Sequence, residues 1–304
     1  MAKDDPRPLD HGQFQGNLVR QNSGRPRELS GSTFATPDRV KLLELELDRI
    51  DLVGVMQRIQ HACQHRLPLQ IATVSVHFFS LARRDHGFRD AINRSDISVV
   101  DGRLLLWATW LAACPAPEQI TGHDIFRESI ALAHAHRFKV YLLGGQYGVA
   151  DELACLLQKN LPGLQVGSDS GGRFSVKGQN EHNDDLVERI RSFDPHLIFV
   201  ALGAPKQDLW IANNLSRLSG CVAVGVGGVF DTQTGSLPRA PRWMQVAGFE
   251  SAFQLLVAPR RYGRRYLIED PPTLGRILAL ALRRRLRLCR IAKMVISPTM
   301  KGDC

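Results

Sequence analysis

The sequence has no paired cysteines: Cys63, Cys114, Cys155, Cys221, Cys289 and Cys304 are scattered, and no two form a C-x-x-C pair. That argues against a zinc ribbon or a disulfide framework and for a chain kept reduced. No apolar run approaches the ~18 residues a membrane-spanning helix needs. The N-terminal MAKDDPRPLDHGQF lacks the apolar core of a secretory signal, so a cytoplasmic protein is expected. Residues 1–38, rich in Pro, Gly, Ser, Asn and Arg, lack hydrophobic periodicity and read as a disordered N-terminal tail. There is no convincing internal repeat.

Negative charge is scarce at one end only. From Pro259 onward there are twelve Lys and Arg against three Asp and Glu, while the rest of the chain holds 27 of each, so the net charge of +9 belongs to the C-terminus. A balanced body excludes a nucleic-acid reader with a basic face built into its fold. A basic tail fits an anionic membrane surface. At ~100° per residue, Arg276, Arg283, Arg287 and Arg290 fall near one helix face, with most of the apolar residues elsewhere around it. Such a helix can lie in a membrane interface. A solvated helix or a contact within a homo-oligomer would use the same pattern.

Between these ends, apolar β-branched segments alternate with amphipathic ones. PLQIATVS, DISVVDG, FKVYLLGG, GLQVGSDS, PHLIFVALGAP and CVAVGVGG read as strands, and the stretches between them as helices. The fold class expected is α/β: a Rossmann-like, mostly parallel sheet with helices on both faces, plus a basic helical C-terminal appendage. Ligands of such sheets bind outside the carboxyl ends of the strands. Asp101, Gly144-Gly145, the run Gly203 to Asp208, and Gly227-Gly228 all fall at ends of that kind.

Each of these has a plain and a chemical reading. Asp101-Gly102 fits a turn or a helix cap, and equally a general base that takes a proton from an attacking hydroxyl. Gly144-Gly145 with Gly148 before a helix fits a tight turn or a diphosphate cradle. Asp169, at the end of the next strand, stands roughly where a dinucleotide site places its ribose-binding acid, which keeps a nicotinamide-dependent oxidoreductase in view. The glycines are misplaced for that motif. His61 and His65 have the i, i+4 spacing of a helical metal pair but no third ligand nearby, so a surface helix is the better reading. Arg239, between Pro238 and Pro241, suits either a phosphate or a surface ion pair.

Taken together and in order, the motifs resemble the WecG/TagA/CpsF family of bacterial glycosyltransferases. The match is carried by Asp101-Gly102, ITGHDIF from Ile120, VYLLGG from Val140, LGAPKQD from Leu202, GVGGVFD from Gly225, RAPRWM from Arg239, GFES from Gly248 and PRRYGRRY from Pro259. It covers about residues 40 to 267. The resemblance implies an inverting, metal-independent transfer of a sugar from a UDP-sugar, of N-acetylhexosamine or hexose type, to a polyprenyl-diphosphate-linked saccharide in exopolysaccharide or cell-wall polymer synthesis. No cofactor is implied, and no nucleic acid.

Under that resemblance Asp101 is the base. The donor pocket is drawn from Thr73, Ser75, Gly144, Gly145, Gly203, Ala204, Pro205, Lys206, Gln207, Asp208, Gly227, Gly228 and Arg239. Arg260, Arg261, Arg264 and Arg265 match the arginines that the family's C-terminal segment brings over the active site at the membrane. Residues 39–258 then form the glycosyltransferase domain and 259–304 a membrane-association appendage, peripheral on the inner face of the cytoplasmic membrane. Four positions depart from the family pattern: Ser75 stands for Asn, Asp208 for Glu, Ser251 for Trp, and Gln119 for a common Arg. They imply altered sugar or acceptor recognition, so an N-acetylmannosamine donor is not carried over. A membrane-tethered binding module without catalysis is the remaining alternative.

Overall fold

The computed structural model describes residues 38–111 and 118–296. The expected N-terminal tail thus lies, apart from Asp38, outside the described residues, as do Cys114 and Cys304; Cys63, Cys155 and Cys221 are free thiols.

A hairpin opens the described chain: β1 (Arg39–Leu42) pairs antiparallel with β2 (Leu45–Asp48). Next come α1 (Leu52–His65), β3 (Leu69–Val74), α2 (Val76–Arg84), α3 (His86–Asn93), β4 (Ile97–Val100) and α4 (Arg103–Leu111). The regular alternation continues with α5 (Gly122–His136), β5 (Val140–Gly144), α6 (Val149–Asn160), β6 (Val166–Asp169), α7 (Asn183–Phe193), β7 (Leu197–Ala201), α8 (Lys206–Asn214) and β8 (Val222–Gly225). The C-terminal part is helical: α9 (Val229–Gln233), α10 (Arg242–Val246), α11 (Glu250–Val257), α12 (Pro259–Arg264), a π-helical turn (Arg265–Glu269) and α13 (Asp270–Ile296).

Strands β3 to β8 form one parallel sheet in the order β4-β3-β8-β7-β5-β6. Successive side chains of a strand point to opposite faces, and apolar residues at nearly every position therefore demand cover on both sides. Leu197 and Phe199 pack with α1, α5 and α6 on one face. Ile198 and Val200 pack with α7 and α8 on the other, and Ala72 and Val74 with α2, α3 and α4. The expected α/β sheet with helices on both faces is what forms.

The hairpin is a feature the alternating pattern did not announce. Leu42, Leu45 and Leu47 are buried among α2, α3 and α4. Asp48 seals the edge strand, its carboxylate accepting from the Ser98 amide (2.6 Å) and from Arg39 Nε (3.1 Å). A paired edge amide is no longer a template for another strand.

The C-terminal helix is built into this core. Ile277 and Ala281 on α13 are fully buried in the cluster that holds Leu42, Val74 and Leu105. Arg276 pairs with Glu44 of the hairpin at 2.6 Å, and Arg284 donates to the Lys41 carbonyl. Side chains beyond Arg285 lie outside the described set, including those of Arg287 and Arg290. Truncating a fully buried isoleucine removes transfer free energy and leaves a cavity. Ile277→Ala should therefore cost about 2–5 kcal/mol in urea unfolding; a cost near zero would mean that α13 is not part of the core.

Candidate active site

Four adjacent strand ends, those of β4, β3, β8 and β7, open into one cavity of about 790 Å³. Its floor comes from Thr73 near the end of β3 and Ser75 after it, Asp101 after β4, Gly203 and Ala204 after β7, and Gly227 and Gly228 after β8. Arg239, Glu250 and the segment from Leu255 to Leu274 supply residues to its other walls. This is the crevice in which open α/β sheets bind ligands.

The floor is held by hydrogen bonds between neighbouring loops. Thr73 Oγ1 donates to the Gly225 carbonyl at 3.0 Å, tying β3 to β8. Gln207, buried, accepts from the Gly227 amide at 3.0 Å through Oε1. A Cβ on Gly225 would lie 2.6 Å from Gln207 Nε2, so glycine is required there for the loop to close over this side chain. Thr121 and Asp124 cap α5 reciprocally: the Asp124 amide donates to Thr121 Oγ1 and the Thr121 amide to Asp124 Oδ2. That cap fixes His123 in the wall.

Asp101 is placed by its backbone amide, which donates to the Val74 carbonyl at 2.8 Å, and by Gly102, whose φ of +104° turns the chain into α4. Its pKa is pushed up to about 7. Loss of solvent is the main cause; the charges of Glu250 and Asp124 add to it, and those of Arg265 and Arg239 oppose it. Glu250 is itself raised by burial, with Arg239 opposing. A carboxylate poised near neutrality is suited to proton transfer at physiological pH.

Cations surround it. Arg103, Arg239 and Arg265 all line the cavity, and each has a buried Nε–H without a hydrogen-bond partner in the chain. The carboxylates paired with them stand off: Glu250 is 4.0 Å from Arg239 Nε and Asp270 is 3.5 Å from Arg265 Nε. A buried donor left unpaired costs about 1–3 kcal/mol, and more when charged. Three guanidinium groups in its lining suit the cavity to an anionic ligand. His123 adds no charge, because burial, then Arg239, push its pKa down to about 3. Its Nε2 lies 2.7 Å from Thr232 Oγ1, whose own proton is placed toward the Val229 carbonyl at 2.8 Å. That assigns the imidazole proton to Nε2.

The C-terminal segment closes the site through buried carboxylates. Arg261 pairs with Asp231 at 2.7 Å, Arg264 with Glu269 at 3.1 Å, and Arg265 Nη2 donates to Ser75 Oγ at 3.1 Å. His77 Nδ1 lies 3.0 Å from Asp270, and Ser80 donates to the Glu269 carbonyl.

Of the residues singled out in the sequence, Thr73, Ser75, Asp101, Gly203, Ala204, Gln207, Gly227, Gly228, Arg239, Arg261, Arg264 and Arg265 converge on this cavity. Gly144, Gly145, Pro205, Lys206, Asp208 and Arg260 are not in its lining. A Cβ on Gly144 would meet Leu202 at 2.8 Å and Ala201 at 3.1 Å, so that glycine serves the packing of β5 on β7. Gly145 abuts Val149 and Phe230. Lys206 begins α8 half-buried, and Arg260 is exposed. Asp208 is sealed in the core, with neither carboxyl oxygen properly hydrogen-bonded, and burial pushes its pKa up to about 7. Asp169 is held by Arg189 at 2.8 Å and by the Gly171 amide, outside the cavity. Arg103 was not singled out beforehand, though it follows the Asp101-Gly102 motif; His123 and Asp231 stood inside the quoted motifs ITGHDIF and GVGGVFD without a role of their own.

The model of the glycosyl transferase WecG/TagA/CpsF family matches residues 40–287. Among curated proteins, the chain is similar to the N-acetylglucosaminyldiphosphoundecaprenol N-acetyl-beta-D-mannosaminyltransferases of Staphylococcus aureus strains NCTC 8325 and COL. Each is 26% identical over 228 residues, covering 74% of this chain and 87% of the relative. A family match over most of the chain, on a parallel sheet whose strand ends meet in one cation-lined cavity, identifies the chain as a glycosyltransferase of the WecG/TagA/CpsF family.

Proposed function

We propose that this glycosyltransferase moves a sugar from a UDP-sugar, of N-acetylhexosamine or hexose type, to a polyprenyl-diphosphate-linked saccharide, by inverting displacement and without a metal. The observation that carries the reading is the meeting of Asp101 with the unpaired guanidinium donors of Arg103, Arg239 and Arg265 in one cavity. The relatives' name specifies a diphosphoundecaprenol-linked acceptor.

In the reaction, Asp101 takes the proton of the acceptor hydroxyl as its oxygen attacks the anomeric carbon. The bond from that carbon to the β-phosphate oxygen breaks on the opposite face, and UDP leaves with the electron pair. The arginines neutralise the charge growing on the diphosphate. Guanidinium forks match phosphate oxygens in pairs, and here they take the role a divalent cation fills elsewhere. Leu104, Leu255, Val257 and Leu274 supply apolar lining from α4, α11 and α13, away from the strand ends. They suit the prenyl side of the acceptor.

The protein works, on this reading, at the inner face of the cytoplasmic membrane. No helix among the described residues is long and apolar enough to cross a membrane, and Arg283 and Arg285 are exposed on α13. Peripheral attachment to anionic lipid follows from that charge.

Transfer of labelled sugar from a panel of UDP-sugars to polyprenyl-diphosphate glycans tests the reaction. Asp101→Asn should lower kcat by about 10²–10⁴-fold while UDP affinity is kept; equal activity would remove Asp101 from the chemistry. The same assay in EDTA should keep its rate, and a loss restored by Mg²⁺ would overturn the metal-free reading.

The pH profile has a defined sign. Asp101 works ionised and its pKa lies at about 7, so kcat/KM should rise with pH through neutrality and then level. Glu250→Gln removes a neighbouring negative charge and should move that rise to lower pH. An unmoved profile would mean that another group controls it.

A further inference from the structure

Three of the chain's four tryptophans lie at its surface: Trp107, Trp110 and Trp243 are exposed, and Trp210 is fully buried. Single exposed apolar residues are ordinary; exposed indoles on two helices that both also line one cavity, α4 through Leu104 and α10 through Gln245, are not. Trp107 and Trp110 follow the cavity-lining Leu104 at three-residue intervals, so all three share one face of α4. Trp107 reaches the turn before α11, where a Cβ on Gly248 would lie 3.6 Å from its ring. Phe249 follows, then Leu256, 77% exposed, flanked by the cavity-lining Leu255 and Val257. Ile268, 66% exposed, continues the apolar surface on the π-helical turn. Helices α4, α10 and α11 thus carry both these exposed residues and residues of the cavity lining.

The charge of this surface is of one sign. From Phe249 to Arg285 every exposed charged residue is an arginine: Arg260, Arg261, Arg264, Arg283 and Arg285. The carboxylates of that stretch, Glu250, Glu269 and Asp270, are not exposed, and α4 contains none. An isologous contact with a second copy would set arginine against arginine. A bilayer of anionic lipid offers the complement in full: phosphates for guanidinium groups, the headgroup boundary for indoles and the upper acyl region for leucine and isoleucine.

We infer that this aromatic rim inserts into the interfacial layer of an anionic membrane, so that the rim sets the depth and orientation at which the cavity meets lipid. The basic helix then contributes attraction without setting depth. This rests on the proposed lipid-linked acceptor for the reason the cavity should face the bilayer; the surface itself is independent of the reaction.

The test uses the full chain and vesicles of phosphatidylcholine with phosphatidylglycerol, some carrying brominated acyl chains. Bound protein should show a blue-shifted indole emission quenched by the bromines, which Trp210 in the core cannot supply. The variant Trp110→Ser/Trp243→Ser/Leu256→Ser should lose at least tenfold in vesicle flotation at both low and 0.5 M salt. Arg283→Gln/Arg285→Gln should lose binding at low salt only, because salt screens the arginine contribution. Unquenched indoles in vesicle-bound wild type would overturn the inference, as would a triple variant that floats like wild type. So would a dimer seen by light scattering that the triple variant abolishes with flotation unchanged. Unfolding midpoints check that these exposed substitutions leave the fold intact, and wild-type quenching decides without them. Transfer to a short-chain, water-soluble prenyl-diphosphate acceptor without vesicles stands apart: its failure would sink the reaction, not the rim.

Discussion

Three buried arginine Nε–H groups without a hydrogen-bond partner are what the rest of this structure has to account for. Arg103, Arg239 and Arg265 come from three separate parts of the chain, line one cavity, and each keeps a buried Nε–H unpaired. A fold tolerates such a cost where a ligand returns it. The same cations bear on Asp101: two of them oppose the desolvation and carboxylate repulsion that lift its pKa to about 7. An arriving diphosphate would offset that opposition and make the carboxylate a stronger base as the donor binds. On the proposed reaction, donor binding and proton abstraction would thereby be linked through electrostatics, with no moving part required.

The C-terminal segment makes this arrangement complete. Arg265 reaches Ser75 beneath it, and Arg261 reaches the buried Asp231. Neither contact would persist if α13 were a loose appendage, and Ile277 and Ala281 anchor it in the core beside the hairpin. The segment that closes the cavity also carries much of the apolar, arginine-bordered rim around its mouth. Closure of the cavity and most of that rim are therefore one structural unit.

Most of the fold was legible because it rests on local signals. Runs such as HLIFVAL and CVAVGV are too apolar for a half-exposed strand, and their alternation with amphipathic helices leaves a covered parallel sheet as the economical solution. The hairpin β1–β2 went unread although Leu43, Leu45 and Leu47 alternate with Glu44, Glu46 and Asp48 at a strand's two-residue period, and Asp48 acquires its meaning only on meeting Ser98 across fifty residues. The site divided along the same line. Strand-end positions near Asp101 and Gly203 could be read, but the glycines after β5 could not be told apart from them. Sheet order decides the matter: β8 and β7 stand between β3 and β5, so the Gly144-Gly145 turn lies one strand beyond the cavity floor. Arg103 carried no pattern of its own, and His123 stood in the ITGHDIF motif without a role, because their chemistry arises from neighbours distant in sequence.

The account stands on the cavity being an anion site that takes the leaving diphosphate. Calorimetric titration of UDP into wild type, Arg239→Met and Arg265→Met measures that directly. One saturable site in wild type, weakened at least tenfold in each variant, is the predicted result. Binding of equal strength in all three, or none in wild type, would contradict it.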